Sequence, residues 1–301
     1  MGLRAAFDKQ ILVSLAYRAG WAVVRWLPRP LAHGLFRVAA DVVSHGGKGP
    51  EQLRRNLARV VGPENVTRTL VRDSLRSYMR YWCEAFRLPS MHADPTLYAQ
   101  LLGSVEGLEH LDRSLAQGKG VILALPHSGN WDMAGVFLVG HQGTFSTVAE
   151  RLRPESLFEA FVRYRQDLGF DVVALTGGHS PFAHLEYRLR AGGVVALLAE
   201  RDLTRSGVPV EFFGEPAHFA AGPAVLAART GAALHVVHLW FAPDGWGMKV
   251  SAPVEVDSVE STTQRIADGF AANIAAHPED WHMLQKVWSA DLDPRRGKSG
   301  A

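Results

Sequence analysis

The stretch Gly120-Val121-Ile122-Leu123-Ala124-Leu125-Pro126-His127-Ser128-Gly129-Asn130-Trp131-Asp132 decides how the chain is read. Its first seven residues form a short continuous apolar run, the texture of a strand buried on both faces. Ser128-Gly129 supplies a tight turn and Asn130 is a good helix N-cap, so a helix is predicted from Trp131. A second run of the same kind, Gly193 to Ala199, ends at Glu200. In open α/β sheets ligands bind beyond the carboxyl ends of the strands. His127 and Glu200 therefore both fall where chemistry is expected.

Outward from these runs the pattern alternates. Strands are predicted at Ser146 to Ala149, Asp171 to Leu175, Val208 to Phe213, Leu234 to Phe241 and Met248 to Val256. Helices are predicted at Leu157 to Leu168, His184 to Ala191, Pro223 to Thr230 and Ser261 to His277. This order implies an α/β fold with a central, mainly parallel sheet flanked by helices. Residues 8–90 read as helices, with Leu31, Leu35, Val38 and Val42, then Leu70, Leu75, Met79 and Trp82, recurring at helical spacing. The chain has 301 residues, 47% of them hydrophobic, and no low-complexity run divides it. One domain over residues 1–301 is expected, with 1–90 as an N-terminal helical extension.

The apolar run from Ile11 to Leu27 is interrupted by Arg18 and Arg25 and has no small-residue cleavage site after it, unlike a signal peptide. It is also too short and charged for a spanning helix, which needs about 20 apolar residues. It reads as an amphipathic helix carrying Leu12, Leu15, Trp21, Trp26 and Leu27, either lying in a membrane interface or packed on the protein's own core. The single cysteine, Cys83, excludes an internal disulfide and reads as a core residue. A net charge of +2 is too balanced to suggest nucleic-acid binding.

In one continuous helix, five residues would leave the His127 and Asp132 side chains about 140° apart. With His127 in the turn and the helix starting near Asn130, Asp132 instead falls in the first helical turn, where a carboxylate suits the dipole. It can then accept from one imidazole nitrogen and leave the other as a base. Glu200 is the second candidate for that role. Its position after a buried strand favours Glu200 for the charge relay and Asp132 for local geometry. Arg151, Arg153, Arg163, Arg165, Arg201, Arg205 and Arg229 crowd the same region, a supply of bidentate phosphate ligands. No Walker loop, G-x-G-x-x-G, G-x-S-x-G or H-E-x-x-H is present, so no nucleotide loop, serine nucleophile or metal is expected.

The segment His127 to Asp132 resembles the H-x4-D motif of the lysophospholipid and glycerolipid acyltransferase superfamily. Phe161, Arg165 and Gly169 are similar to the F-x-x-x-R-x-x-x-G pattern of its lipid A biosynthesis (lauroyl) branch. Within that branch the chain resembles actinobacterial acyltransferases of phosphatidylinositol mannosides. The segments that carry this are Tyr81 to Pro89, Pro126 to Asp132, Glu200-Arg201-Asp202-Leu203, Phe212-Phe213-Gly214, Ala221 to Ala224 and Asp280 to Gln285. The resemblance implies transfer of a fatty acyl group, typically palmitoyl, from coenzyme A to mannose O6 of a phosphatidylinositol mannoside. It implies His127 as base with Glu200 completing the relay. It implies Arg165, Ser206 and Arg229 near the acyl-CoA, and His282 near the acceptor sugar. It implies no cofactor, since acyl-CoA is a co-substrate, and a peripheral protein docked by N-terminal helices on the cytoplasmic face of the plasma membrane. The glycerol-phosphate branch carries Glu-Gly-Thr-Arg where this chain has Glu200-Arg201-Asp202-Leu203, against a glycerol-3-phosphate acceptor. The later proline-bearing strand motif of the superfamily is not clear in Leu234 to Val237. Two rivals stay open: a related membrane acyltransferase with another glycolipid or lipid A-like acceptor, and a lipid-binding protein without catalysis.

Overall fold

The computed structural model describes residues 20–21, 23–149, 155–174, 180–202 and 207–292. After the helical residues 20–21 and 23–26 come helices α1 (Arg29–Val43), α2 (Glu51–Val61), the long α3 (Arg68–His92) and α4 (Leu97–Leu102). Then strands and helices alternate: β1 (Val105–Glu106), α5 (Leu108–Ala116), β2 (Val121–Leu125), α6 (Trp131–Gln142), β3 (Phe145–Ala149), α7 (Glu155–Asp167), β4 (Phe170–Ala174), α8 (Pro181–Arg190) and β5 (Val194–Leu198). A hairpin of β6 (Val208–Phe212) and β7 (Glu215–Phe219) follows, then α9 (Gly222–Thr230), β8 (Ala233–Trp240), β9 (Gly247–Val250) and α10 (Val259–Ala276).

The seven-stranded sheet has the order β1-β9-β8-β2-β5-β3-β4. Its strands pair in parallel except β8 with β9, which are antiparallel. The expected α/β architecture is therefore the one observed. The two strongly apolar runs are neighbours at the centre, with Val121 opposite Val194 and Leu125 opposite Leu198. That adjacency places His127 and Glu200 at one edge.

Side chains on each central strand alternate between two cores, as a period of two requires. Val121, Leu123 and Leu125 of β2 join one cluster with α6 and α7. Ile122 and Ala124 join the other with α8, α9 and α10. A third cluster of Ala40, Leu53, Leu57, Val71 and Leu75 ties α1 to α2 and α3.

Several boundaries differ from expectation for clear reasons. The strand predicted to Val256 ends at Val250. Pro253 cannot donate to a ladder, although Ser251 and Val254 still bond back to β8. The β7 strand carries Pro216 and His218, which mask its alternation, and it pairs with β6 through Phe213 and Gly214 at φ +51° and +76°. Leu31, Leu35, Val38 and Val42 do form one helical stripe, but it faces outward, 56–69% exposed, while Ala32 and Ala40 pack inward. Of the predicted first helix, residues 20–21 and 23–26 are helical, and Leu12 and Leu15 lie outside the described residues. Trp21 packs on Phe86, Phe161 and Tyr164, whereas Trp26 is 83% exposed. Among the described residues no helix is long and apolar enough to cross a membrane.

Candidate active site

His127 sits in the turn between β2 and α6. Gly129 makes this turn possible: its φ is +53°, and it lies so close to the end of β8 that a Cβ would come within 2.7 Å of the Leu239 carbonyl carbon. Asn130 caps α6 through its side-chain oxygen, which accepts from the Met133 N–H at 3.2 Å. Glu200 follows β5, whose pairing continues past the strand as the Ala199 N–H donates to the Leu125 carbonyl.

One oxygen of Glu200 meets both ends of His127. Oε1 accepts from the His127 backbone N–H at 2.6 Å and lies 2.6 Å from Nδ1. Glu200 is fully buried while the His127 side chain is 37% exposed. A buried carboxylate on Nδ1 fixes the tautomer with its proton there, which makes Nε2 the basic nitrogen. The Trp131 ring stands edge-on to the imidazole, with centroids 5.5 Å apart.

Asp132 is not a ligand of that imidazole. Arg165 of α7 grips it with two bonds, Nε to Oδ1 at 2.8 Å and a terminal nitrogen to Oδ2 at 3.1 Å. The Tyr81 hydroxyl donates to Oδ2 at 3.3 Å. Desolvation works most strongly against the Arg165 charge, but the Asp132 carboxylate and its hydrogen bond, with Tyr81 and Tyr164, together outweigh it and raise the guanidinium pKa. Burial, then the neighbouring Asp132 charge, pushes the Tyr81 phenol well up. Arg165 thus joins the same corner as His127 and is paired there with Asp132.

Glu84 is a further buried carboxylate, one that the sequence did not single out. Its Oε2 accepts from Asn130 Nδ2 at 2.7 Å and from the Trp246 indole at 2.8 Å, and Arg80 bonds Oε1 at 2.8 Å. It orients the amide that caps α6, and so acts on the turn from α3. The signal available for it was its place inside the Tyr81 to Pro89 segment. His282 lies beside the site: its backbone N–H donates to the His127 carbonyl at 2.7 Å, and its ring sits among Tyr78, Tyr81, Trp131 and Phe241. Burial, then the charge of His127, lowers its pKa to about 3.

Other expected residues are not brought together with His127. Arg229, near the end of α9, bonds Glu186 at 3.0 Å and lies over the Phe182 ring. Ala233, just beyond it, faces Val121 at the start of β2. His127 lies past the other end of that strand, about 20 Å away at strand rise. Ser206, Arg151, Arg153 and Arg205 lie outside the described residues. Arg201 bonds the Lys286 carbonyl. Of the other histidines, His235 is satisfied by Ser251 and Ser114 and His184 by Asp171, while His179 lies outside the described residues. His277, Glu279 and Asp280 bring donor atoms within 4.8 Å of one another, but both Asp280 oxygens already accept from Ser77 and Phe241.

An apolar cavity of about 250 Å³ runs beside the sheet. Tyr81, Trp131, Asp132 and Arg165 line it near His127, and Phe145 and Phe170, the first residues of β3 and β4, line it toward the far end. A basic imidazole held by a buried carboxylate, with Trp131 and Asp132 of the following turn lining a largely apolar cavity, suits an enzyme that moves acyl chains.

The comparisons make the class specific. The bacterial lipid A biosynthesis acyltransferase family model matches residues 6–290, and the chain belongs to that family of acyltransferases. It is 55% identical over 295 residues to the phosphatidylinositol mannoside acyltransferase of Mycolicibacterium smegmatis, with 96% of each chain covered. It is 54% identical over 286 residues to the protein of the same name from Mycobacterium tuberculosis, covering 93% of this chain and 90% of the relative.

Proposed function

We propose that this enzyme transfers a long-chain acyl group, palmitoyl, from acyl-CoA to the mannose O6 hydroxyl of a phosphatidylinositol mannoside, with His127 as general base. The observation that carries the mechanism is the Glu200–His127 pair, with one carboxylate oxygen on Nδ1 at 2.6 Å. The acceptor follows from the names of relatives more than half identical over nearly the whole chain.

His127 Nε2 takes the proton of the acceptor hydroxyl, and the oxygen attacks the thioester carbonyl carbon. The tetrahedral intermediate collapses, the C–S bond breaks, and the imidazolium returns its proton to the leaving thiolate as CoA-SH. General-base help of this kind is worth about 10²–10⁴ in rate. Glu200 stabilises the imidazolium formed in between. The apolar cavity suits the acyl chain, and the Asp132–Arg165 pair shapes its mouth.

The acceptor is a membrane lipid, so the site works at a bilayer surface. The outward stripe of Leu31, Leu35, Val38 and Val42, with Trp26 next to it, supports peripheral docking on the cytoplasmic face of the plasma membrane. The test is incubation with labelled palmitoyl-CoA and a panel of acceptors, followed by mass-spectrometric mapping of the product. Palmitate on mannose O6 is expected. Transfer only to another glycolipid, or lipid binding with no acyl-CoA consumption, overturns the reading.

A further inference from the structure

The segment from Asp280 to His282 runs antiparallel to the His127 turn. Ser128 bridges Trp281, the Gly129 N–H donates to the Asp280 carbonyl at 2.9 Å, and the His282 N–H donates to the His127 carbonyl at 2.7 Å. The Asp280 side chain holds this strap in place. Its Oδ2 accepts from the Phe241 N–H at 2.8 Å, and its Oδ1 from the Ser77 hydroxyl of α3 at 2.5 Å. The same hydroxyl lies 2.8 Å from His282 Nε2. Asp280, Ser77 and His282 are all buried.

The donor inventory fixes the order of protons along this chain. An ionised Asp280 has only lone pairs to offer, so the single Ser77 proton points to it. His282 Nε2 must then bring its own proton to Ser77. A protonated Asp280 reverses the chain: Asp280 donates to Ser77, Ser77 to Nε2, and the imidazole proton moves to Nδ1. Nδ1 is buried and has no hydrogen-bond partner among the described residues. The ionised arrangement is therefore the one that the surroundings satisfy better.

We propose that Ser77 and Asp280 are positioning residues for the transfer reaction, clamping the strap that holds the His127 turn so that the imidazole stays aligned on Glu200. The inference rests on His127 being the base and does not depend on which hydroxyl accepts the acyl group. Burial, opposed by the bonds from Ser77 and Phe241, raises the Asp280 pKa to about 6, so the clamp changes state in mildly acidic solution. The charged and titratable groups facing it are Glu279 beside it, His277 with a ring nitrogen within 4.8 Å, Arg80 on α3, and His282 and His127 across the strap. Tyr78 and Tyr81 pack on the His282 ring.

The test compares Ser77→Ala with Ser77→Thr, which keeps a hydroxyl, and with Asp280→Asn, which imitates the protonated chain. CoA release is followed with and without acceptor, together with the downfield proton resonance of the His127–Glu200 bond, identified by its loss in His127→Asn. In Ser77→Ala, kcat falls about 10–100-fold, both KM values stay within about twofold, and the resonance shifts or broadens. Ser77→Thr recovers kcat and the resonance. Asp280→Asn has a low kcat and loses the acid limb near pH 6. A rise in acceptor KM at unchanged kcat, equal behaviour of the Ala and Thr variants, or an unchanged resonance overturns the proposal. Wild-type enzyme that releases CoA but does not acylate the mannoside refutes only the acceptor assignment. If no acyl-CoA is consumed at all, the resonance alone decides the clamp.

Discussion

Glu200 Oε1 accepts from two nitrogens of a single residue, the backbone N–H and Nδ1 of His127, each at 2.6 Å. The backbone bond fixes where the residue sits and the side-chain bond fixes which way its ring faces. Asp132, the acid of the His127 motif, holds Arg165 instead. Two carboxylates near one imidazole therefore have separate tasks, and substitution separates them.

Glu200→Gln keeps an oxygen for the backbone N–H but removes the carboxylate charge beside Nδ1. kcat is expected to fall about 10²–10⁴-fold while thermal unfolding changes by only a few degrees. Steady-state kinetics and a melting curve on the same preparation check this. A near-normal kcat would show that Glu200 has no part in catalysis.

Asp132→Asn leaves the Arg165 guanidinium mostly buried without its counter-charge, a loss of about 3–5 kcal/mol. The melting temperature drops along with activity. Arg165→Met in the same chain removes the orphaned charge and recovers part of that stability, so the double-mutant cycle shows strong coupling. Additive losses would mean that the pair contributes nothing as a pair.

Acid weakens the fold before ordinary carboxylates titrate. His238 and His282 are held neutral by burial, the pKa of each lowered to about 3. The unfolded chain binds those protons below about pH 6.5 and the folded chain does not, so stability falls as pH drops from about 6.5 toward 3. Asp280, raised to about 6, acts in the opposite direction between its unfolded pKa and that value. Two histidines outweigh it, and each contributes up to a few kcal/mol across the window. Urea unfolding midpoints at pH 7.5 and pH 5 measure the net slope. His238→Gln should flatten it.

The sheet and the edge that carries the candidate site were legible because they depend on local pattern. Two continuous apolar runs announce buried parallel strands, and the residues after them, His127 and Glu200, must lie at one edge once the strands are neighbours. The facing of α1 was not legible: period gives a stripe, but not the side on which protein lies. Ser77, Glu84 and Asp280 were not picked out because their meaning lies in partners 203, 46 and 203 residues away in sequence. Arg229 shows the limit of sequence proximity. Proximity to strands in sequence suggested one cluster, yet α9 runs back along the sheet and takes Arg229 to the far end.

The outward stripe of α1 is expected to bind membranes without stabilising the fold. Replacing Leu35 and Val38, both more than half exposed, by Asp removes apolar surface from the stripe and adds charge to it. Flotation with anionic phospholipid vesicles should fall several-fold, while the melting temperature stays near wild type because surface changes usually cost under about 0.5 kcal/mol. Unchanged flotation would put the docking surface elsewhere.

The cavity predicts a chain-length effect at Gly135. This glycine of α6 faces the rings of Phe170 and Phe145, and a Cβ there would lie 2.3 Å from Phe170 Cζ and 3.0 Å from Phe145 Cζ. All three residues line the cavity, and the two rings belong to strand starts, away from His127. Gly135→Ala must therefore displace a ring. The opposite side is packed core, so the cavity is the space available to it. Overpacking costs about 1–3 kcal/mol in general, and part of that cost is met by the loss of cavity volume. Competition between acyl-CoA thioesters of graded length, read by product mass, should then shift toward shorter chains. Phe170→Leu should shift it the other way. A folded, active Gly135→Ala enzyme with an unchanged length profile would mean that the acyl chain does not reach this wall.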